Sequence, residues 1–81
     1  MIDTYDVAID YMDMTDDRHL WVRPADVRRG LKPTVGSHVV VGQEDADPSV
    51  ARVVAIDDDG FVELEILKGP VAAHRDLLRP T

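Results

Sequence analysis

Val50-Ala51-Arg52-Val53-Val54-Ala55-Ile56-Asp57-Asp58-Asp59-Gly60-Phe61-Val62-Glu63-Leu64-Glu65-Ile66-Leu67 is the stretch that decides the fold of this chain. Asp59-Gly60 supplies a tight turn, and Val62, Leu64 and Ile66 alternate strictly with Glu63 and Glu65 behind it, so the stretch reads as one β-hairpin. The valine run Val39-Val40-Val41, bounded by Gly36 and Gly42, adds a strand just before it. Together they predict a mainly β domain, either a small five-stranded barrel or a strongly twisted antiparallel sheet with short helical turns.

Hairpin register decides which side chains face inward. A three-residue loop of Asp58, Asp59 and Gly60, with glycine in the left-handed region, sets Val54 opposite Leu64 and Ile56 opposite Val62. A two-residue Asp59-Gly60 loop instead pairs Ala55 with Leu64 and Val53 with Ile66. The first buries the larger side chains and is the expected register. It turns Arg52 inward, where an unpaired charge is costly, so Arg52 is expected at the end of the barrel, reaching solvent or a carboxylate. Arg52 on the face of Glu63 and Glu65 would argue for the shorter turn. In either register a branched apolar set shares the face of those glutamates, so cover from the N-terminal hairpin or another subunit is expected there.

Upstream, Tyr5, Val7, Ile9 and Tyr11 alternate with Asp6, Ala8, Asp10 and Met12, the pattern of a strand with one wet face. Asp3, Asp6, Asp10, Asp13 and Asp17 also recur at helical spacing, but Asp, Thr, Tyr, Val and Ile are mediocre helix formers, and the strand is preferred. Thr15 to Arg18 makes a polar turn. His19 to Arg23 then returns as a second strand paired with the first, with Leu20 and Val22 on the face opposite Trp21, giving an N-terminal hairpin over 5–23. Pro24 to Arg29 forms a short helical connector with proline at its first position and Gly30 closing it. The central strands occupy 37–67, with an exposed loop over Gln43 to Ser49. Residues 70–78 form a helical turn or a closing strand, and the whole of 1–81 is one domain.

Val35-Gly36-Ser37-His38-Val39-Val40-Val41 and Ala51-Arg52-Val53-Val54-Ala55-Ile56-Asp57-Asp58-Asp59-Gly60-Phe61-Val62-Glu63-Leu64 resemble the SH3-like small β-barrels of Tudor and KOW type. The resemblance implies five short strands and a binding function. KOW modules share the Gly-x-x-Val-x-Val opening and usually bind RNA or ribosomal and transcriptional proteins, but this chain carries Ala51 in place of a glycine and acidic loops in place of basic ones. Tudor modules hold methylated cations in an aromatic cage. Tyr5, Tyr11, Trp21 and Phe61 supply at most part of one, and core or edge packing is the expected use of each.

Composition bounds the rest. A chain of 81 residues buries only about 60 to 65% of its unfolded surface, so stability is modest unless it pairs with itself or a partner. With no cysteine there is neither a disulfide framework nor a thiolate zinc site. The first 17 residues hold six aspartates and no Lys or Arg, the reverse of a secretory start, and no apolar run reaches the roughly 20 residues of a membrane span. A soluble cytoplasmic protein without a membrane partner is expected.

Charge is segregated: residues 18–32 carry five bases and one acid, whereas 33–67 carry eight acids and one base. The net charge of −7 makes nucleic acid an unfavoured partner. Asp outnumbers Glu 13 to 3 and Arg outnumbers Lys 7 to 2, a bias that a GC-rich genome or life in high salt also produces. Acidity alone therefore names no partner.

No residue pattern points to catalysis. The Asp57-Asp58-Asp59-Gly60 run lacks the acids at 55 and 66 that a calcium loop needs, since Ala55 and Ile66 stand there. His19, His38 and His74 lack zinc-ligand spacing. Ser37 and His38 are strand neighbours that point to opposite faces. No cofactor, metal or catalytic residue is expected. Two binding surfaces are. Arg52, Glu63 and Glu65 mark a protein-interaction face serving a partner or a homodimer. Arg18, Trp21, Arg23, Arg28, Arg29 and Lys32 mark an anion or nucleic-acid patch in which an aromatic among cations stacks a base. The first, a non-enzymatic protein-interaction module, is the leading expectation. The nucleic-acid module is the alternative, followed by an acidic DNA-mimic inhibitor.

Overall fold

The computed structural model describes residues 5–44 and 46–78. Asp3 of the acidic N-terminal stretch and Asp45 of the expected loop lie outside them. The five strands are β1 (Val7–Ala8), β2 (His19–Val22), β3 (His38–Gly42), β4 (Ser49–Ile56) and β5 (Val62–Ile66), arranged β1-β3-β4-β5-β2 in one strongly curled half-barrel. Single helical turns cover Tyr11–Asp13 and Pro24–Asp26, and two turns meeting at a kink on His74 cover Val71–Leu78. The mainly β reading therefore holds, with one parallel pair in an otherwise antiparallel sheet.

The hairpin turn is the three-residue loop. Asp57 N–H donates to Phe61 C=O at 2.9 Å, Gly60 N–H to Asp57 C=O at 3.1 Å, and Gly60 adopts φ +88°. The Asp57 carboxylate also accepts from the backbone N–H of Asp59 and Phe61, both at 2.9 Å, so the first aspartate of the run organises the turn. Ile56 pairs with Val62 and Ala55 with Glu63, the expected register. Beyond them it slips by one residue at a bulge between Val53 and Ala55, and Val53 faces Leu64 while Arg52 faces Glu65.

This bulge corrects the expected faces. Val53 is completely buried against Leu64, Val54 is only partly covered, and Ile56 is 40% exposed. Arg52 does not point inward; it lies on the face of Glu63 and Glu65, yet the turn has three residues, because the unpaired residue at Val54 reverses the side-chain alternation.

The expected N-terminal hairpin over 5–23 is also corrected, since β1 pairs in parallel with β3 and β2 pairs with β5. Long-range polar bonds hold the N-terminal segment on the β3 side. Asp6 N–H donates to Val40 C=O at 2.7 Å, and its carboxylate accepts from Val40 N–H at 3.1 Å. Tyr11 N–H reaches Gln43 Oε1 at 2.8 Å, and its hydroxyl reaches Ser49 Oγ at 3.0 Å. Gly42 admits the Tyr5 ring, which would stand 2.9 Å from an added Cβ. The alternation survives nonetheless, with Val7 and Ile9 buried and Ala8 and Asp10 exposed. The Pro24 connector contributes to the core rather than only linking strands: Val27 bridges Val7 across the open side of the sheet and packs on the core.

The core consists of Val7, Ile9, Leu20, Val22, Val39, Val41, Ala51, Val53, Val62, Leu64 and Ile66. Val50 is buried on the opposite face, beside Val40, and the Val71–Leu78 segment packs on β3 and β4 there. That segment, not an N-terminal hairpin, covers part of the outer face. Among the described residues no helix is long and apolar enough to cross a membrane.

The bulge makes a direct prediction for urea denaturation. Val53→Ala removes two buried methyl groups and is expected to cost about 2 kcal/mol, whereas Val54→Ala is expected to cost under about 1 kcal/mol. Equal losses would contradict the observed faces.

Candidate protein-interaction surface

On the outer face four strands place one residue each in a row. His38 on β3 faces Arg52 on β4, Arg52 faces Glu65 on β5, and Glu65 faces His19 on β2. The Arg52 guanidinium donates from both Nε (3.2 Å) and Nη2 (3.0 Å) to Glu65 Oε1. His19 lies between two carboxylates, its Nδ1 2.9 Å from Glu63 and its Nε2 3.9 Å from Glu65. Such half-exposed pairs contribute at most about 1 kcal/mol each, so they order the surface more than they stabilise it. Arg52, Glu63 and Glu65 thus do share a face, but with their polar groups largely engaged by one another and by His19.

The next row carries Trp21 opposite Glu63, with Glu63 in turn opposite Ala55. Trp21 is 50% exposed, while Leu20 and Val22 on either side are buried, as the alternation of β2 predicts. Beside it runs a groove of about 430 Å³. One wall is Ala8 at the end of β1 with Ile9 and Asp10 continuing it; the other is Leu20 to Val22 on β2 with Arg23 just after it; Asp13 and Asp26 complete the lining. The groove occupies the seam where the curled sheet does not close by strand pairing.

Its three carboxylates are not equivalent. Asp10 caps the turn after it, accepting from Met12 N–H at 2.9 Å. Asp26 accepts from Arg23 N–H at 3.3 Å and pairs with its guanidinium at 3.4 Å. The Asp13 carboxylate has no hydrogen-bond or ion-pair partner among the described residues; only its backbone N–H is used, donating to Asp10 C=O at 2.9 Å. The hydrophobic alternation of residues 5–12 puts only Asp10 of the three on a wet strand face. The signal that marks them as a site is their convergence with Trp21, which exists only in the folded chain.

The expected basic patch is dispersed. Arg18 lies at the far end of β2, with Nε bonded to Ile66 C=O at 2.9 Å and Nη2 to Leu67 C=O at 3.4 Å. Arg23 is paired with Asp26, and Arg28 with Asp6 at 3.1 Å. Arg28 and Arg29 border a second recess with Tyr5, Asp6 and Val27, separate from Trp21, and Lys32 is exposed beyond it. Only Arg23 shares the Trp21 groove.

Arg18 explains the placement of β2. Thr15 N–H donates to His19 C=O at 2.8 Å and Arg18 N–H to Thr15 C=O at 2.9 Å, repeating the Asp57-to-Phe61 geometry with arginine where that turn has glycine. Its φ of 66° is strained for a side-chain-bearing residue, and the two guanidinium bonds, to Ile66 at the end of β5 and to Leu67 just after it, offset that strain.

Among the described residues no group of three or more His, Asp or Glu is arranged to hold a metal ion. No family model, curated protein or solved structure matches this chain.

A structural role for Arg18 has a specific signature in denaturation. Arg18→Ala keeps the strained backbone and loses both bonds, an expected cost of about 2 kcal/mol, and Arg18→Gly is expected to recover about 1 kcal/mol of it. Arg29→Gln is expected to stay within about 0.5 kcal/mol of the parent.

Proposed function

We propose that this domain is a non-enzymatic protein-interaction module that receives a basic segment of a partner protein in the groove between the β1 continuation and β2. The observation that carries the reading is the half-exposed Trp21 beside Asp10, Asp13 and Asp26. An indole face next to an unpaired carboxylate suits a lysine or arginine, whose cation gains from the ring quadrupole and from the charge at once. The net charge of −7 steers such a partner toward the domain and works against a polyanion. The engagement of Arg18, Arg23 and Arg28 by carboxylates and backbone carbonyls supports the protein reading over the nucleic-acid one. A cytoplasmic setting suits a chain with no cysteine.

Trp21 is the one tryptophan, so its fluorescence reports directly on the groove. Titration with a capped oligolysine is expected to change the emission, with affinity falling as salt rises. Asp13→Lys is expected to weaken binding about tenfold, and Arg29→Gln to leave it within about twofold. A stronger response to a DNA duplex than to oligolysine, or an affinity indifferent to Asp13→Lys, would overturn the reading.

A further inference from the structure

The hydrogen-bond parity of β2 shows how a segment could be held in the groove. Antiparallel neighbours alternate between pairs that exchange backbone bonds and pairs that do not. Ile66 N–H donates to Arg18 C=O at 2.7 Å, which makes Arg18 and Ile66 a bonded pair. Two steps along the strand, Leu20 with Leu64 and then Val22 with Val62 are bonded pairs as well. The N–H and C=O of His19 and Trp21 therefore turn away from β5. Those of His19 are used within the preceding turn, the carbonyl by Thr15 N–H at 2.8 Å and the N–H by Thr15 Oγ1 at 3.2 Å. Arg23 N–H is held by the Asp26 carboxylate. Trp21 lies between these closed positions, and its N–H and C=O have no partner among the described residues. β2 is a terminal strand of the sheet, and its outward edge is the wall of the groove.

Resting on the reading above, we propose that the basic segment binds as an added β-strand, its backbone exchanging hydrogen bonds with the N–H and C=O of Trp21. One of its lysine or arginine side chains lies beside the indole and Asp13. Strand addition draws affinity from main-chain bonds and specificity from alternate side chains. Here the open edge is one residue long, so the main chain supplies only one bonded pair and the cation must contribute the rest. This shortness also blunts the edge against pairing with a second copy, since Thr15 closes one end and Asp26 the other. Charge complementarity selects the occupant. A second copy of this chain would bring a further net charge of −7 against Asp10, Asp13 and Asp26, whereas a basic peptide neutralises them.

The test uses isotope-labelled protein and the peptide acetyl-Lys-Val-Lys-Val-Lys-amide, alone and in versions N-methylated at each inner residue in turn. Saturation with the parent peptide is expected to slow hydrogen exchange at the Trp21 amide by about tenfold. Methylation at the position bonded to Trp21 should weaken binding about tenfold while its neighbours stay within about twofold. If the indole emission responds to the peptide but the Trp21 amide and the methylation series do not, strand addition is overturned and the basic-segment reading stands. If neither responds, both are overturned. Protection of the Trp21 amide that grows with protein concentration and without peptide would make a second copy the occupant and overturn the proposal.

Discussion

A single unpaired residue in β4, Val54, sets the two faces of the sheet. Below it the hairpin follows a three-residue turn built on Asp57 and Gly60; above it every side chain of β4 has changed face relative to β5. The change places Ala51 and Val53 in the core with Leu64 and Ile66, and puts Arg52 opposite Glu65 in half-exposed surroundings. Without the bulge Arg52 would stand among those side chains as a buried cation, a penalty of several kcal/mol in a domain with little stability to lose. The bulge also bends β4 and increases its twist, which suits a sheet of only five strands that must curl around one small core.

The position of Trp21 depends on that core in two ways. Leu20 and Val22 are buried in it, so the residue between them must face outward. The register of β2 on β5 is then set by the strained Arg18, whose backbone carbonyl and guanidinium both bond to the end of β5. A residue that sequence composition groups with the other arginines as an anion ligand is a structural clamp. Its displacement by one residue would turn Trp21 inward and empty the groove wall of its aromatic side chain.

Electrostatics completes the surface. Four of the nine bases are held by neighbours within the fold: Arg23 by Asp26, Arg28 by Asp6, Arg52 by Glu65, and Arg18 by carbonyl oxygens. Acids outnumber bases 16 to 9, so this internal matching leaves carboxylates in excess, and Asp10 and Asp13 are two of them that line the Trp21 groove. A groove in which Asp26 is paired with Arg23 while Asp10 and Asp13 have no cationic partner among the described residues presents a more selective surface than the net charge suggests.

The sequence by itself determined the elements whose signals are local. The Asp57-to-Phe61 turn, the alternation of Val62 to Ile66, the buried and exposed positions of β2, and the proline-started turn at Pro24 were all legible, because turn chemistry and period-two patterning act within a few residues. Only the tertiary structure decided the bulge at Val54, the parallel pairing of β1 with β3, and the separation of Arg18, Arg28 and Arg29 from the Trp21 groove. A bulge has no compositional mark in a run such as Val53-Val54-Ala55, where either parity buries an apolar residue. The place of β1 rests on bonds from Asp6 and Tyr11 to residues more than 30 positions away. The groove beside Trp21 belongs to the same class: Asp10, Asp13, Trp21 and Asp26 are unremarkable along the chain and become a site only because curling the sheet brings an edge of β2 up to the continuation of β1.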